Sequence, residues 1–326
     1  MRYQPLLAAT LFISLLMSCT ATTPGESTAA AVPPEKVEAM SLLGRPLTPP
    51  PLAPIDLGPR LEQYAEALRA YDANPQSEEN AIWLGRRAAY LGHYRKAIDI
   101  YTQALEKHPQ SFRLLRHRGH RWITLRQFDK AAADLSRASR LAAEVWDEIE
   151  ADGQPNALDE PTSTVKSNIE YHLGLAHYLR GEFPAARAAY ERCMELSMTD
   201  DMRIATAYWL WLTLQRLGQP DAAAEVIAPF SAETRIIETK AYQRLVLLFK
   251  GEISPDDGEP LVPPGANLTE LEGVTYAYGL GAWHLVSGRT DRAMIIFNDI
   301  VAVENAWPAF GSIAAEAELA RSRKRR

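Results

Sequence analysis

The sequence predicts an all-α solenoid of about five helix–turn–helix repeats, some degenerate, closed by capping helices. Three observations carry this. Leu-Gly pairs recur at 84–85, 173–174 and 280–281, each followed by a later Gly (Gly92, Gly181, Gly288), an Ala (Ala97, Ala186, Ala293) and an aromatic (Tyr101, Tyr190, Phe297). Apolar residues between these marks fall at three- and four-residue spacing, the period of an amphipathic helix. No pair of alternating apolar runs joined by a hairpin turn is visible. Small residues at Gly85, Ala97 and Ala104 let two antiparallel helices approach closely, while Leu84 and Tyr101 fill the space beside them. One such pair cannot bury its own apolar face, so copies must stack.

With 326 residues, 47% hydrophobic and 23% charged, the chain is globular in composition. Length alone suggests about two domains, but a solenoid can run this long as one body. The net charge of −6 argues against a nucleic-acid binder, which carries a basic face and a high pI. Two cysteines, Cys19 and Cys193, allow at most one disulfide, and their positions suggest none.

Residues 1–18 combine Arg2 with an apolar run from Leu6 to Met17. The run is shorter than the ~20 residues that span a bilayer and reads as a signal-peptide core. It ends in Leu16-Met17-Ser18-Cys19, which resembles the bacterial lipobox, with Met17 as the departure from the usual pattern. That resemblance implies lipid attachment at Cys19; Thr20 after it implies sorting to an outer membrane. Residues 19–59 are rich in Pro, Ala, Thr and Ser and include Pro49-Pro50-Pro51. Such a segment extends rather than folds, and its simplest role is a tether. Leu42-Leu43 and Leu52 leave open that part of it packs on the domain.

The solenoid is expected over 60–321. Arg60 to Asn74 places Leu61, Ala65, Leu68 and Tyr71 on one face, a helix covering the open end of repeat one. Repeat one runs from Glu78 to Gln110. In repeat two, Gly119, Trp122, Phe128, Ala131, Leu135 and Ala138 match Gly85, Ala88, Tyr94, Ala97, Tyr101 and Ala104 position for position. The register then breaks at 147–166, which holds six carboxylates before its first base, Lys166. This reads as a solvated acidic loop inserted on one face; a calcium loop would need a D-x-D-x-D-G pattern with a closing Glu. Repeat three shows Leu173-Gly174, Gly181, Phe183, Ala186, Tyr190 and Cys193, the thiol standing where Ala104 stands and behaving as a small buried hydrophobe. Repeat four, 204–230, is degenerate, with Trp211 in place of Gly. A helix over 236–250 leads to an irregular segment near 251–272. Repeat five holds Leu280-Gly281, His284, Gly288, Ala293, Phe297 and Ile300. The last helix, 307–321, carries Phe310, Ile313, Ala314, Ala317 and Leu319 on one side and Glu316 with Glu318 on the other, as a C-terminal cap. The basic tail, 322–326, is of the kind that stays unfolded.

No catalytic set emerges, and no cofactor or metal is expected. The chain lacks G-x-S-x-G, a P-loop and H-E-x-x-H. His117 and His120 lie three apart, yet no carboxylate or Cys completes a ligand set, and Arg116, Arg118 and Arg121 would repel a cation. His177 and His284 stand at aromatic positions of the repeat, as packed residues.

The repeat from Ala81 to Pro109, with Leu84-Gly85, Gly92, Tyr94, Ala97, Tyr101, Ala104 and the closing Pro109, resembles the tetratricopeptide (TPR) repeat of 34 residues. The resemblance covers most of 78–305. It implies a groove lined by the first helices of successive repeats. Carrying that register over puts Arg86, then Arg113, Arg116 and His120, then Tyr171, His172 and Tyr178, then Tyr208, Trp209 and Arg216 in the groove. Such a basic and aromatic surface fits a peptide bearing acidic groups or a free C-terminus, unless its arginines are solvated or pair with the acidic insert. The layout of signal, lipid Cys, repeats and late cap is similar to the NlpI-type bacterial lipoproteins. That similarity implies a periplasm-facing, lipid-anchored adaptor, often dimeric, that binds other proteins and no nucleic acid. The long tether and the acidic insert depart from that type. An assembly factor (pilotin-like, or an outer-membrane insertion component) and a metal-dependent hydrolase stand as the alternatives.

Overall fold

The computed structural model describes residues 37–238, 240–254, 268 and 270–324, all within one compact unit, Pro33–Arg326. The leader, Cys19 and most of the irregular segment near 251–272 lie outside the described residues. Helix α1 (Pro54–Ala73) precedes four antiparallel pairs: α2 (Glu78–Tyr90) with α3 (Tyr94–Lys107), α4 (Phe112–Thr124) with α5 (Phe128–Ala142), α6 (Val165–Arg180) with α7 (Phe183–Leu196), and α8 (Asp200–Arg216) with α9 (Pro220–Ile227). Then come α10 (Lys240–Lys250), the pair α11 (Leu271–Val286) with α12 (Thr290–Ala302), and α13 (Phe310–Lys324).

Local chemistry starts four of the five repeats. Ser77, Ser111, Thr164 and Thr199 cap the first helices of repeats one to four, each side-chain oxygen accepting from the backbone N–H three residues on. Such caps contribute about 0.5–2 kcal/mol each. The pairing rule is equally regular. A Cβ placed on Gly85, Gly119, Gly174 or Gly281 would overlap the side chain sixteen residues later: Tyr101, Leu135, Tyr190 and Phe297. The missing Cβ is what admits each bulky partner. In repeat four the pattern changes: Trp211 takes the Gly position, the second helix has 8 residues, and the indole stacks on Phe249 at 3.9 Å.

Seven residues after each of those positions the chain turns with a positive φ: Gly92 (83°), Gly181 (81°), Gly218 (70°) and Gly288 (79°). Repeat two has Arg126 there, at φ 62°. A side chain in this region costs about 1–3 kcal/mol, so something must hold it. The holder is α13.

Helix α13 is not the amphipathic end cap its sequence suggests. Glu316 and Glu318 are 1% and 4% exposed, because α13 lies across the first helices of several repeats and is covered on both sides. Phe310 packs on His120 of α4 and His172 of α6 (ring centroids 5.3 and 5.6 Å). Glu318 accepts from Arg216 at the end of α8 (2.7 Å), and Gly311 touches Val274 of α11. Glu316 accepts from Arg126 through Nη2 (2.5 Å) and Nε (3.1 Å). Helix α13 also continues through 322–324 of the expected basic tail, with Ser322 Oγ donating to Leu319 O (2.8 Å), just after Arg321, which donates to Leu179 O (2.9 Å) and Glu318 (2.6 Å).

The supposed tether is folded from residue 37. Two short strands, β1 (Ala39–Met40) and β2 (Pro46–Leu47), pair antiparallel, with Ala39 and Leu47 buried. Arg95 donates its backbone N–H to the Glu38 carboxylate (2.8 Å) and its Nε to the Glu38 carbonyl (2.7 Å). The Leu42 N–H donates to Glu316, and the Trp307 indole donates to Thr48 O (2.7 Å). The hairpin thus joins the start of the solenoid to α13. Two helix boundaries also move. Helix α1 begins at Pro54 and buries Tyr64 with Ala67, Leu68 and Tyr71 beside it, leaving Leu61 48% exposed. Helix α10 begins at Lys240, since the N–H groups of Ile237 and Glu238 donate to Asp201 instead of continuing a helix.

Candidate binding cleft

The ten residues expected to line one open groove divide into three sets. Tyr178, Tyr208 and Trp209 are core residues, which corrects their assignment as peptide contacts. Helix α8 is buried on every side, with α10 and α11 stacked against it. Trp209 donates its indole N–H to Tyr171 Oη (2.9 Å), and Tyr178 and Tyr278 share a hydroxyl hydrogen bond (2.9 Å). Arg113 and Arg216 are near the surface but engaged, Arg113 with Glu79 (2.6 Å) and Glu148 (3.2 Å), Arg216 with Glu318. The remaining five, Arg86, Arg116, His120, Tyr171 and His172, come together on one cleft of about 300 Å³.

Its basic wall comes from α2 and α4. The opposite wall is Asn168, Tyr171, Met202, Ala205 and Tyr242, with Asp201 and Glu238 at the rim and Phe310 of α13 at one end. An apolar hollow of about 410 Å³ adjoins it, sharing His120, Tyr171, Glu238, Tyr242 and Phe310 and continuing to Leu271, Thr275, Pro308 and Ala309. Sequence reading missed Tyr242 and Phe310, because neither belongs to a repeat's first helix. It also missed Arg126, although the unfilled turn-glycine position of repeat two was a visible signal.

The acidic insert is solvent-exposed over most of 154–161, as expected of a loop, but its first part is not free. An isolated bridge joins Ile149 to Thr164, and the segment lies on the arginine wall. Glu150 pairs with Arg116 (2.9 Å), Arg86 donates to Ala151 O (2.7 Å), and Arg87 donates to Gly153 O (2.8 Å). A positive excess persists behind it: Arg121 stands over the Tyr94 ring (5.7 Å), and among the described residues no carboxylate pairs with it. The buried Arg116 Nε has no hydrogen-bond partner.

Three histidines feel this field. Lost hydration, then the Arg116 charge, hold His117 well below the ordinary 6.5. Lost hydration and Arg121 do the same to His120, and lost hydration and Arg116 to His172, whose Nδ1 faces Asn168 O (2.6 Å). The unfolded chain therefore takes up protons that the folded chain refuses. Linkage makes the sign definite: stability is full above the unfolded value near 6.5 and falls as pH drops through it toward the lower folded values. Urea titrations at pH 7.5, 6.0 and 5.0 should give a steadily falling midpoint. Substituting the three by Asn or Gln should flatten that slope, and an unchanged slope would assign the loss to other groups.

Among the described residues no group of three or more His, Cys, Asp or Glu side chains could hold a metal, and no helix is long and apolar enough to cross a membrane. Cys193 is buried, its Sγ 3.2 Å from Ser167 O and from Thr206 Oγ1, and burial pushes the thiol up to about 12. A thiol this hard to ionise is a packing residue.

Among known proteins, the family match falls on the first repeat. A tetratricopeptide-repeat family model matches residues 83–111. Bovine (Bos taurus) BBSome complex member BBS4 is 25% identical over 161 residues, 48% of this chain and 27% of that protein, so the match spans about a quarter of the curated relative's length. Similar solved structures include YrrB, a TPR protein with an unusual peptide-binding site (13% identity, 80% of this chain and 98% of that chain, TM-score 0.41). A tetratricopeptide repeat protein from Parabacteroides merdae is another (15% identity, 81% and 94%, TM-score 0.46). Residues 83–111 thus match a tetratricopeptide repeat, and the same sixteen-residue close-packing offset recurs in three further helix pairs of the chain.

Proposed function

We propose that this protein is a non-catalytic adaptor that docks another protein in the cleft between α4, α6, α10 and α13. The observation that carries the reading is the pairing of an arginine wall with an adjoining apolar hollow edged by Tyr171, Tyr242 and Phe310. Arginine forks suit carboxylates, and rigid aromatics supply contact area with little entropy to lose. The partner accordingly presents an acidic or C-terminal segment. A photo-crosslinking residue at Leu271, 69% exposed on the cleft rim, should capture a discrete protein in cells, whereas one at exposed Glu225 on α9 should not. Identical capture from both positions, or none from Leu271, would sink the cleft assignment.

The leader and lipobox-like Leu16-Met17-Ser18-Cys19 support anchoring in a bacterial envelope, facing the periplasm, in the manner of NlpI-type lipoproteins. Cys19→Ser should move the protein from the membrane fraction to the soluble fraction and leave its thermal midpoint unchanged. Retention in the membrane would remove the lipid anchor from the model.

A further inference from the structure

We propose that residues 148–153 are a built-in occupant of a site for extended acidic peptide, and that a partner segment of the same chemistry displaces them. This rests on reading the arginine wall as an acidic-peptide site. The segment lies on that wall as an extended ligand would. Glu150, 10% exposed, reaches inward to Arg116 (2.9 Å), and Glu148, still 52% exposed, reaches along the surface to Arg113 (3.2 Å), while Ile149 between them is 63% exposed. Its carbonyls at Ala151 and Gly153 accept from Arg86 and Arg87 (2.7 and 2.8 Å). Four arginines from two successive repeats thus grip one strand by two carboxylates and two carbonyls. A Cβ on Gly153 would overlap the Tyr90 hydroxyl and crowd the Arg86 guanidinium, so a larger residue there has to displace one of these side-chain ends. The pattern it accepts is acidic-x-acidic-x-x-Gly.

The fit is loose, which is what makes displacement feasible. A void of about 60 Å³ remains between the segment and the wall, bounded by Glu79, Arg86, Arg113, Arg116 and His117. Arg116 Nε is buried there without a partner. Arg113 is divided between Glu148 and Glu79, and within the segment the only ladder contact is the single bridge at Ile149. Besides these charges the segment has one side-chain bond from Asn168 to Glu150 (3.1 Å) and the two backbone bonds of that bridge. Its tethering gives it a high effective concentration, so a displacing partner must bind the arginines more tightly than the segment does or be held close by itself.

The test is fluorescence anisotropy with a labelled peptide of residues 146–153 added to the full chain and to two variants. One carries Glu148→Gln with Glu150→Gln; the other replaces 148–153 by a Gly-Ser stretch of equal length. Circular dichroism reports folding, and if the Gly-Ser variant fails to fold, the double Gln variant decides. Binding at least tenfold tighter to the variants than to the unaltered chain, lost on adding Arg116→Ala, is the expected result. Equal binding to the unaltered chain and the variants overturns the built-in occupant and leaves the acidic-peptide site standing. No binding to a folded variant overturns both.

Discussion

Arg126→Ala should destabilise the fold by about 3–5 kcal/mol, the cost of leaving a buried ion unpaired. Both side chains are 2% exposed, and Glu316 accepts two hydrogen bonds from the guanidinium. The same guanidinium donates to Thr124 O (2.6 Å) and Trp307 O (2.9 Å), so truncation orphans two carbonyls as well. Release of α13 should also loosen the 39–47 hairpin, whose Leu42 N–H shares the Glu316 carboxylate. Urea unfolding followed by tryptophan fluorescence measures the loss. Replacing both partners by Met should recover much of it, since no charge is then left buried. A loss below about 1 kcal/mol in the single variant would mean that apolar packing alone holds α13.

Trp209→Ala should cost a comparable ~3–5 kcal/mol, typical of a large buried aromatic. Trp209 is among the largest fully buried side chains, in edge contact with Tyr178 (5.2 Å) and Tyr208 (5.1 Å) and tilted on Tyr278 (5.6 Å). Removing it opens a cavity between α6, α8 and α11 and takes the indole donor from Tyr171 Oη. The thermal midpoint should fall by several degrees and tyrosine near-UV dichroism should weaken. A stable variant that loses partner binding alone would return Trp209 to the binding surface.

The repeats were legible because their rules are local. Gly85 with Tyr101 and Gly174 with Tyr190 are read directly from spacing, and the capping Ser and Thr residues could have been read the same way. The candidate site was half legible. Arg86, Arg116, His120, Tyr171 and His172 do share a cleft, since the repeat register puts first-helix residues on one face. Tyr178, Tyr208 and Trp209 obey the same register but are covered, because α10 and α11 fold onto α8. Whether a face is open depends on what arrives later in the chain.

That distinction separates the two sources of information. Spacing of small and bulky residues by itself determines the helix pairs, their turns and their stacking, since each contact spans about one repeat. Only the tertiary structure decides that α13 fills much of the inner face, that the acidic insert lies on the arginines, and that the hairpin from residue 37 belongs to the domain. Arg126 and Glu316 meet across 190 positions and Leu42 and Glu316 across 274. No sequence period encodes such a meeting. It arises because burying a carboxylate in this core requires a guanidinium, and the one turn within a helix pair that lacks a glycine supplies it.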